Sequence, residues 1–501
     1  MANSFPFKFI VDKGTISFCF FQLEEPNFLD FIFPGQYITE KGMERIKMRF
    51  LRLGPSGIRG AVGTALTCQL AIRYASAFGT WLDGGTVGVA IDSRTSSPMF
   101  KAACLSGLLS CGCNVMDFGV CPAPVLHFAV RKLGLDGGLL IGPGHHQAGW
   151  NAIVPFSSRG SCLSPIQSQE MLDIYHGGIF SSAKWNRIGR ILPAPPSILD
   201  EYVEDLAGLV DVGAIADRHF RVVMDFCNGS GSVLRERITD RFGIDSVPIN
   251  DILSGSLPHD PEPRPRSSAQ VKSIMLPLHA DAGFVFSSDA GRVAIVTDTG
   301  ETLSEEYTVP IVADNLLAKS PKGAVVVTNW CSTKTLDMVV ASHGGVICKG
   351  QTGEAYTIDL MFEKNAILAG EGSGSVAVAS SGTYGFDGFA AMILTLESMA
   401  LKRKRSSEIA GDLPRWHITK LSIPCQSFKA YSALRSLTGL FPDAVMTECD
   451  GLRFDWPDGW VHVRMSMTEP ILRMIFEWRD PKEAVNKVTH IRAAVERLIA
   501  Q

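Results

Sequence analysis

The amino-acid sequence predicts an α/β protein built from several domains, and three observations support this prediction. Short β-branched runs alternate with amphipathic helical stretches from residue 50 onward, which is the pattern of βαβ units. A chain of 501 residues, 46% of them apolar, can bury roughly three to four domain cores. Glycine-rich or charge-rich loops follow predicted strands, where open α/β sheets present ligand-binding groups.

Three similar βαβ units are predicted along the chain. The first combines a buried strand at Val87–Ile91, a helix at Pro98–Ser110 and a strand at Asn114–Phe118. The second begins with a strand at Arg221–Asp225 and the third with a strand at Ala324–Thr328. The units follow one another without an obvious short sequence repeat.

Proline-rich and basic stretches mark the ends of these units. Pro193–Pro196 predicts a domain boundary, and Lys402–Arg405 is interpreted as a solvated helix end with a linker. Residues 1–49 are rich in phenylalanine but contain neither an apolar run of membrane-spanning length nor the pattern of a secretory signal. We treat them as an extension of unknown role, and Met43 and Met48 leave open a start codon just before the first patterned segment.

Charge and cysteine content exclude several classes of partner and site. With 47 basic and 51 acidic residues the formal charge is -4, so we expect no nucleic-acid partner and no membrane association. The 12 cysteines contain no CxxC pair, so we expect neither a disulfide framework nor a structural zinc site, and a cytoplasmic location fits best. The densest group is predicted to pack in the core; it comprises Cys104, Cys111, Cys113 and Cys121.

The loop Arg464–Pro470, followed by Arg473, has the composition of a phosphate-binding site. Two arginines supply planar forks of donors, Ser466 and Thr468 supply hydroxyl groups, and a turn exposes backbone N–H groups. The alternative is a turn whose arginines pair with surface carboxylates. The sequence therefore predicts an anion site at this loop.

Five loops, including this one, resemble in order and spacing those of the α-D-phosphohexomutase superfamily, which comprises phosphoglucomutases, phosphomannomutases and phosphoglucosamine mutases. The other four are Gly54–Gly60, Asp136–Gln147, Ser287–Arg292 and Gly370–Ser375. The resemblance runs from about Phe50 to the C-terminus. Further matches lie between the loops, at Asp92–Ser96, Asp117–Pro124, Asp225–Ser232 and Gly385–Gly388.

The resemblance implies three related α/β domains and a smaller C-terminal α+β domain around a central cleft. The implied ranges are 1–49 for the extension, 50–197 for domain 1, 198–300 for domain 2, 301–412 for domain 3 and 413–501 for domain 4. In the same order, the four domains would carry a degenerate phosphoserine loop, a degenerate metal loop, a sugar-binding loop and a phosphate-binding loop.

The catalytic loop departs from the family pattern at its central residue. The family loop reads Thr-Ala-Ser-His-Asn-Pro, and its serine carries the transferred phosphoryl group. Here Gly144 replaces that nucleophilic serine and is followed by His145 and His146. The resemblance also implies catalytic-site positions for Arg59 and Arg94, which are retained.

The metal loop departs from the pattern as well. The family loop reads Asp-Gly-Asp-Ala-Asp-Arg, and its three carboxylates hold magnesium against the phosphoserine. Here Asp289 is retained, whereas Ser287 and Gly291 replace the other two carboxylates. Because Mg²⁺ requires a shell of hard oxygens, we expect no cofactor, and residual Mg²⁺ binding stays open. The two losses agree, because carboxylates without a phosphoserine and its metal would repel one another.

The groups that hold the substrate in this family are largely retained. Glu371 and Ser373 match its sugar-hydroxyl loop. The phosphate clamp is matched by Arg464, Ser466, Thr468 and Arg473, although methionine stands at positions 465 and 467. The resemblance therefore implies a phosphorylated sugar as the ligand, and it identifies no protein partner.

Three functions follow from these matches and departures. The first is a phosphosugar-binding protein without the phosphoserine-dependent mutase reaction, acting as a regulatory pseudoenzyme or with changed chemistry. The second is a sugar-phosphate enzyme of isomerase, lyase or phosphatase type that uses His145 or His146 as acid, base or nucleophile. The third is a conventional mutase with a substitute nucleophile such as Ser287 or Ser288.

Overall fold

The computed structural model describes residues 51–142, 144, 148–425, 427–466 and 471–500, together with two short strands near the N-terminus. These strands, β1 (Phe9–Asp12) and β2 (Thr15–Phe18), pair antiparallel. The rest of the predicted extension at residues 1–49 lies outside the described residues. Among the helices described here, none is both long enough and apolar enough to cross a membrane.

Domain 1 is built on a seven-stranded sheet in the order β3-β4-β8-β7-β5-β6-β9. Its central strands are buried on both faces because helices cover the sheet on each side, as mostly parallel sheets require. Its strands are β3 (Arg52–Gly54), β4 (Gly57–Ala61), β5 (Thr86–Ile91), β6 (Asn114–Val120), β7 (Gly137–Gly142), β8 (Trp150–Ser157) and β9 (Ile191–Pro193). Its helices are α1 (Cys68–Trp81), α2 (Ser97–Ser110), α3 (Ala123–Lys132) and α4 (Pro165–Gly177).

Domain 2 contains a four-stranded sheet in the order β11-β10-β12-β13. Its first three strands in space are parallel, and β13 is antiparallel to β12. The strands are β10 (Arg221–Asp225), β11 (Asp245–Ile249), β12 (Ala282–Phe286) and β13 (Val293–Thr297). The helices are α5 (Ile198–Ala207), α6 (Val212–Ala216), α7 (Arg235–Phe242) and α8 (Ala269–Met275), with 3-10 turns at Ser230–Leu234 and Pro265–Ser268.

Domain 3 repeats this topology with the order β15-β14-β16-β17. The strands β6-β5-β7-β8 of domain 1 show the same combination of three parallel strands and one antiparallel strand, which confirms the three related units. The strands are β14 (Val325–Asn329), β15 (Val346–Gly350), β16 (Leu368–Glu371) and β17 (Ser375–Val378). The helices are α9 (Thr308–Ala318), α10 (Lys334–Ser342), α11 (Glu354–Glu363), α12 (Gly388–Lys402) and α13 (Ser406–Asp412), preceded by a 3-10 turn at Glu305–Tyr307.

Domain 4 is a five-stranded antiparallel sheet in the order β18-β22-β21-β20-β19. Helices α14 (Ser427–Leu437) and α15 (Pro481–Ala500) pack against this sheet. The strands are β18 (His417–Pro424), β19 (Val445–Glu448), β20 (Leu452–Trp456), β21 (Gly459–Met465) and β22 (Ile471–Trp478). The predicted fold of three related α/β domains and a smaller C-terminal α+β domain is therefore confirmed.

The apolar core is shared by three of the four domains. One cluster of buried side chains runs from Leu126 of domain 1 through Phe286 of domain 2 to Phe389 of domain 3. The rings of Phe286 and Phe389 lie 4.7 Å apart between centroids. Domain 4 has its own core, which includes Phe454 and Phe476. Packing therefore joins the first three domains more closely to one another than to the fourth.

Two local predictions are confirmed by this fold. The grouped cysteines of domain 1 are buried and unpaired, and they are Cys104, Cys111, Cys113 and Cys121. The basic stretch that begins at Lys402 is a helix end. Helix α12 stops at Lys402, and Arg403 adopts a left-handed conformation with φ of 54° that ends the helix.

Four antiparallel hairpins carry four of the five loops that the sequence singled out, and the fifth, Gly54–Gly60, lies at the β3–β4 hairpin. In the three related units the loop joins the third and fourth strands, at residues 143–149, 287–292 and 372–374. In domain 4 the phosphate-binding loop joins β21 and β22. The repeated topology therefore brings one candidate loop from each of the three related domains to an equivalent structural position.

Candidate functional site

The hairpin loops of all four domains border one cleft of about 950 Å³. Most of the predicted site residues in the described chain line it: Arg59, Gly144, Asp289, Gly291, Glu371, Ser373, Arg464, Ser466 and Arg473. The predicted residues His145, His146 and Thr468 lie outside the described residues. The resemblance implied a central cleft, and the loops on which that resemblance rests border the cleft in the structure.

The backbone of the degenerate phosphoserine loop is held by Arg59 of β4. Its Nη1 donates to the carbonyl oxygen of Gly144 at 3.1 Å, and its Nη2 donates to that of Ser56 at 3.0 Å. Burial, together with the nearby positive charge of Arg292, lowers the pKa of Arg59 to about 10. Arg59 therefore remains a cation at neutral pH while it positions the loop.

Gly144 has a backbone conformation that does not suit a serine. Its φ is 51°, in the left-handed region that side chains rarely adopt. A Cβ atom at Gly144 would lie 2.7 Å from the Cβ of Ala152, closer than two carbon atoms approach. A side chain at this position would require either the loop or strand β8 to move.

Arg94, which the sequence places among the catalytic-site residues, forms a buried ion pair. Its side chain is 2% exposed, lies outside the described cleft lining and pairs with Asp92, Nε to Oδ2, at 3.2 Å. The other oxygen of Asp92 accepts hydrogen bonds from the Arg94 N–H at 3.0 Å and from the Ser97 hydroxyl at 2.5 Å. The buried carboxylate of Asp92 thus helps to fix the guanidinium group of Arg94, and the catalytic role that the resemblance implies for Arg94 stays a prediction.

The degenerate metal loop satisfies its single carboxylate internally. Ser287 donates its hydroxyl to Oδ1 of Asp289 at 2.6 Å, and the N–H of Gly291 donates to the same oxygen at 3.1 Å. Arg292 in turn donates its N–H to the Ser287 hydroxyl at 3.0 Å. Within the described chain, no group of three or more histidine, cysteine or acidic side chains is placed to hold a metal. One engaged carboxylate does not fit the shell of hard oxygens that Mg²⁺ requires.

Backbone hydrogen bonds fix this loop between domains 1 and 3. The carbonyl oxygen of Asp289 accepts from the N–H of Ala123 at 3.0 Å, and that of Ala290 accepts from Gly388 at 2.9 Å. The N–H of Val293 donates to the carbonyl oxygen of Gly374 in the sugar-binding loop at 2.9 Å. The loop therefore has a structural role that does not depend on a metal.

The sugar-binding loop presents one carboxylate and one hydroxyl group. Glu371 is 5% exposed, and its Oε1 accepts from the N–H of Gly353 at 2.6 Å and from the hydroxyl of Thr357 at 2.8 Å. The hydroxyl groups of Ser373 and Ser375 lie 2.8 Å apart. A carboxylate fixed in this way can accept hydrogen bonds from hydroxyl groups with little loss of side-chain entropy.

The predicted phosphate-binding loop is flanked by two arginines that lie side by side. Arg464 of β21 and Arg473 of β22 are direct cross-strand partners. Ser466, directly after β21, donates its N–H to the carbonyl oxygen of Ile471 at the start of β22, at 3.0 Å. Arg464 also approaches Asp450, Nε to Oδ2, at 3.9 Å. Two guanidinium groups on one face of a sheet provide a site of concentrated positive charge for an anion.

Comparison with models of known protein families identifies the family of three of the domains. The chain matches the phosphoglucomutase/phosphomannomutase α/β/α domain I over residues 51–181, domain II over 200–300 and domain III over 304–416. The chain belongs to this family, within the α-D-phosphohexomutase superfamily. The family resemblance of the sequence is therefore confirmed.

Relatives of this phosphohexomutase-family protein cover almost all of its patterned length. A probable phosphoglucosamine mutase of Thermococcus kodakarensis is 30% identical over 452 residues, which span 89% of this chain and 99% of the relative. A phosphoglucomutase/phosphomannomutase of the same organism is 30% identical over 438 residues, which span 86% of this chain and 95% of the relative.

Solved structures show the same fold. A phosphoglucomutase/phosphomannomutase family protein from Burkholderia thailandensis aligns with a TM-score of 0.79 and 27% identity, covering 90% of this chain and 98% of that chain. An N-acetylphosphoglucosamine mutase from Aspergillus fumigatus, solved with GlcNAc-6P and magnesium, aligns with a TM-score of 0.53 and 12% identity, covering 85% of this chain and 98% of that one. The second likeness concerns the fold alone.

The phosphohexomutase cleft also contains charged groups that sequence reasoning missed. Glu354, at the start of α11, accepts the N–H of Phe386 at 3.0 Å, and its Oε1 lies 3.8 Å from Nε2 of His127. Burial raises the pKa of Glu354 to about 7 and lowers that of His127 to about 4. Both residues line the cleft. A lone glutamate at the start of a helix gives no local signal that distinguishes it from a helix-capping acid.

A second missed residue is Lys420 of β18. Its ammonium group lies 2.8 Å from Oε1 of Glu305 and 2.7 Å from Oε1 of Glu306, and it contacts the sugar-binding loop. Lys420 and Glu305 both line the cleft. Lys420 and Glu305 are 115 residues apart in the chain, so no sequence spacing could reveal this cluster.

Proposed function

We propose that this phosphohexomutase-family protein binds a sugar phosphate in its cleft and does not perform the phosphoserine-dependent mutase reaction. The observation that carries this proposal is the conformation of Gly144. Its φ is 51°, and a Cβ atom there would lie 2.7 Å from the Cβ of Ala152, so this position has neither a nucleophile nor space for one. Phosphoryl transfer through this position therefore lacks its acceptor.

Two loops would bind different parts of the ligand, one the phosphate and the other the sugar. Arg464, Arg473 and Ser466 would bind the phosphate, and Thr468 is assigned to the same group from the sequence. Paired guanidinium groups suit a phosphate because each can donate two parallel hydrogen bonds. Glu371 and Ser373 would bind sugar hydroxyl groups, since an anchored carboxylate accepts and a hydroxyl both donates and accepts.

We further propose that ligand binding does not require magnesium. Oδ1 of Asp289, the single carboxylate of the degenerate metal loop, already accepts from Ser287 at 2.6 Å and from Gly291 at 3.1 Å. The loop is ordered by these bonds and by its contacts with the neighbouring domains. In this proposal the predicted ranges 50–197, 198–300, 301–412 and 413–501 also stand as the domain boundaries.

A second candidate function is acid–base chemistry on the bound sugar phosphate. The observation that favours it is Glu354, whose partly buried carboxyl borders the cleft and has a pKa raised to about 7. A group with this pKa is present in both protonation states near neutral pH, which is the condition for efficient proton transfer. Glu354 joins His145 and His146 as a candidate for this role.

The mutase reaction with a substitute nucleophile finds less support. Ser287 donates to Asp289 and accepts from the Arg292 N–H, so its hydroxyl is already engaged at both ends. Ser288 is 1% exposed. Among the described residues, neither serine lines the cleft. A nucleophile must reach the phosphoryl group, and both of these side chains are buried.

A ligand screen with an activity assay tests the proposal. The names of the 30%-identical relatives make glucosamine phosphates the first ligands to try, followed by glucose, mannose and N-acetylglucosamine phosphates. We expect thermal stabilisation by a sugar phosphate that exceeds the effect of inorganic phosphate or of the free sugar. We expect no interconversion of sugar 1- and 6-phosphates with magnesium and a sugar bisphosphate. Efficient interconversion would overturn the proposal that the phosphoserine-dependent mutase reaction is absent. If no sugar phosphate stabilised the protein, the proposal that it binds a sugar phosphate would be overturned.

A further inference from the structure

Lys420 connects domain 4 to the sugar-binding loop of domain 3. Its ammonium group donates to the carbonyl oxygen of Gly372 at 2.6 Å and pairs with Glu305 at 2.8 Å and Glu306 at 2.7 Å. An ammonium group has three protons, and these three acceptors account for all of them. Its position is therefore specified by three contacts at once.

Gly372 is the residue between the two groups assigned to the sugar. Glu371 precedes it and Ser373 follows it, so the direction of its carbonyl group governs the placement of both neighbours. A Cβ atom at Gly372 would lie 2.0 Å from Oε2 of Glu306. The loop thus packs against one carboxylate of the cluster while its carbonyl group binds the ammonium of Lys420.

The same sheet face carries Lys420 and the phosphate clamp. Ser422 of β18 is the cross-strand partner of Arg473 on β22, and Arg473 is the partner of Arg464 on β21. Lys420 is two residues from Ser422 on its strand, and side chains two apart on a strand share a face. All four residues line the cleft. The sheet therefore sets a fixed separation between the phosphate clamp and the lysine that holds the sugar-binding loop.

We propose that Lys420 is a specificity-determining positioning residue, which holds Glu371 and Ser373 at the distance from the phosphate clamp that a sugar phosphate requires. This inference rests on the proposed phosphosugar binding. Lys420 acts through the carbonyl group of Gly372 and not by contacting the phosphate. Its loss should therefore weaken recognition of the sugar more than recognition of the phosphate.

Calorimetric titrations of Lys420→Met with glucosamine 6-phosphate, glucose 6-phosphate and inorganic phosphate test this inference. We expect the affinity for the preferred sugar phosphate to fall about tenfold and the affinity for inorganic phosphate to change less than about twofold. Lys319→Met is the matched control. Lys319 is 39% exposed, as against 38% for Lys420, and pairs with the buried Glu397 outside the described cleft lining. This control should leave both affinities unchanged.

Two further variants separate positioning from folding. Lys420→Arg keeps the charge and a donor, so it should recover part of the sugar phosphate preference. If Lys420→Met does not fold, Lys420→Met combined with Glu306→Gln takes its place, because it removes one buried carboxylate together with its partner. The double variant should show the same selective loss.

The possible outcomes distinguish this inference from the function on which it rests. A wild-type protein that binds neither sugar phosphate more tightly than inorganic phosphate overturns both. A wild-type preference that persists in Lys420→Met, or in its double-variant substitute, overturns the role of Lys420 alone. An equal loss of affinity for sugar phosphate and for inorganic phosphate also overturns it. Lys420 would then support phosphate binding and not recognition of the sugar.

Discussion

Arg464 and Arg473 lie directly opposite each other on strands β21 and β22, so two like charges share one face of an antiparallel sheet. Opposed like charges destabilise a sheet, whereas an anion between them removes the repulsion. This strand pairing therefore favours an anionic ligand, which agrees with the proposed role of the two arginines as a phosphate clamp.

Replacing Arg473 with glutamine should weaken phosphosugar binding by about tenfold to a hundredfold, because a charge-assisted contact with phosphate contributes about 1.5–3 kcal/mol. Relief of the repulsion from Arg464 should keep the unfolding free energy within about 1 kcal/mol of the wild type. Calorimetric titration and urea unfolding measure the two effects. Arg497→Gln, on the surface of α15, is the control and should change neither. Unchanged affinity in Arg473→Gln would remove the clamp from the proposal.

Replacing Gly144 with serine should destabilise the protein by about 2 kcal/mol or more and should not create mutase activity. The cost combines a left-handed φ of 51° with the contact to Ala152. Gly134→Ser is the control, because Gly134 has a φ of 60° but no atom within 4 Å of its Cβ position. That control should cost about 1 kcal/mol. Urea unfolding separates the two contributions, and a Gly144→Ser variant as stable as the wild type would contradict the steric argument.

Removing magnesium should change the affinity for a sugar phosphate by less than about twofold, because Asp289 is engaged by Ser287 and no metal shell is assembled around it within the described chain. Titrations with magnesium and with EDTA measure this directly. A variant that combines Ser287→Asp and Gly291→Asp restores three carboxylates and should acquire magnesium dependence. A wild-type affinity that collapses in EDTA would show that the loop binds a metal despite its sequence.

Glu354 should make stability fall as pH rises between about 4.5 and 7. Burial raises its pKa to about 7 from an ordinary value of 4.5, so the folded state holds a proton that the unfolded state has released in this window. The contribution is complete below pH 4.5 and is lost as pH passes through 7, with a size of up to about 3 kcal/mol. Urea unfolding at several pH values should show this fall in the wild type and a smaller one in Glu354→Gln. Equal pH dependence in both proteins would contradict the assignment.

The predictable parts of the site are those that local sequence specifies. Hairpin loops such as the one after Arg464 combine turn residues with charged donors over a few positions, so composition alone reveals their chemistry. The alternation of β-branched runs and helices likewise predicted the three related units. Local patterns of this kind identified most of the predicted site residues that, within the described chain, line the cleft.

The parts that could not be predicted depend on contacts between distant segments. The sequence named Arg94 but gave no indication of its buried ion pair with Asp92. The positions of Lys420 and Glu354 at the cleft could not be predicted from the sequence, because they depend on hydrogen bonds and ion pairs with residues of other elements. A sequence motif reports which side chains are present, whereas packing decides which way each of them faces.

The division of the apolar core has a consequence for how a ligand enters and leaves. Domains 1, 2 and 3 share one core, whereas domain 4 has its own and meets domain 3 through the small apolar cluster of Cys331, Trp460 and Ile475 and through polar contacts such as that of Lys420. Separation at this seam would leave both large clusters intact, but it would expose the buried Trp460 and break hydrogen bonds such as those of Thr333 with Glu477 and of Arg453 with Trp330. Arg464 and Arg473 lie on the domain 4 side of this seam. A movement of domain 4 that opened the cleft to a ligand would therefore have to break these buried polar contacts.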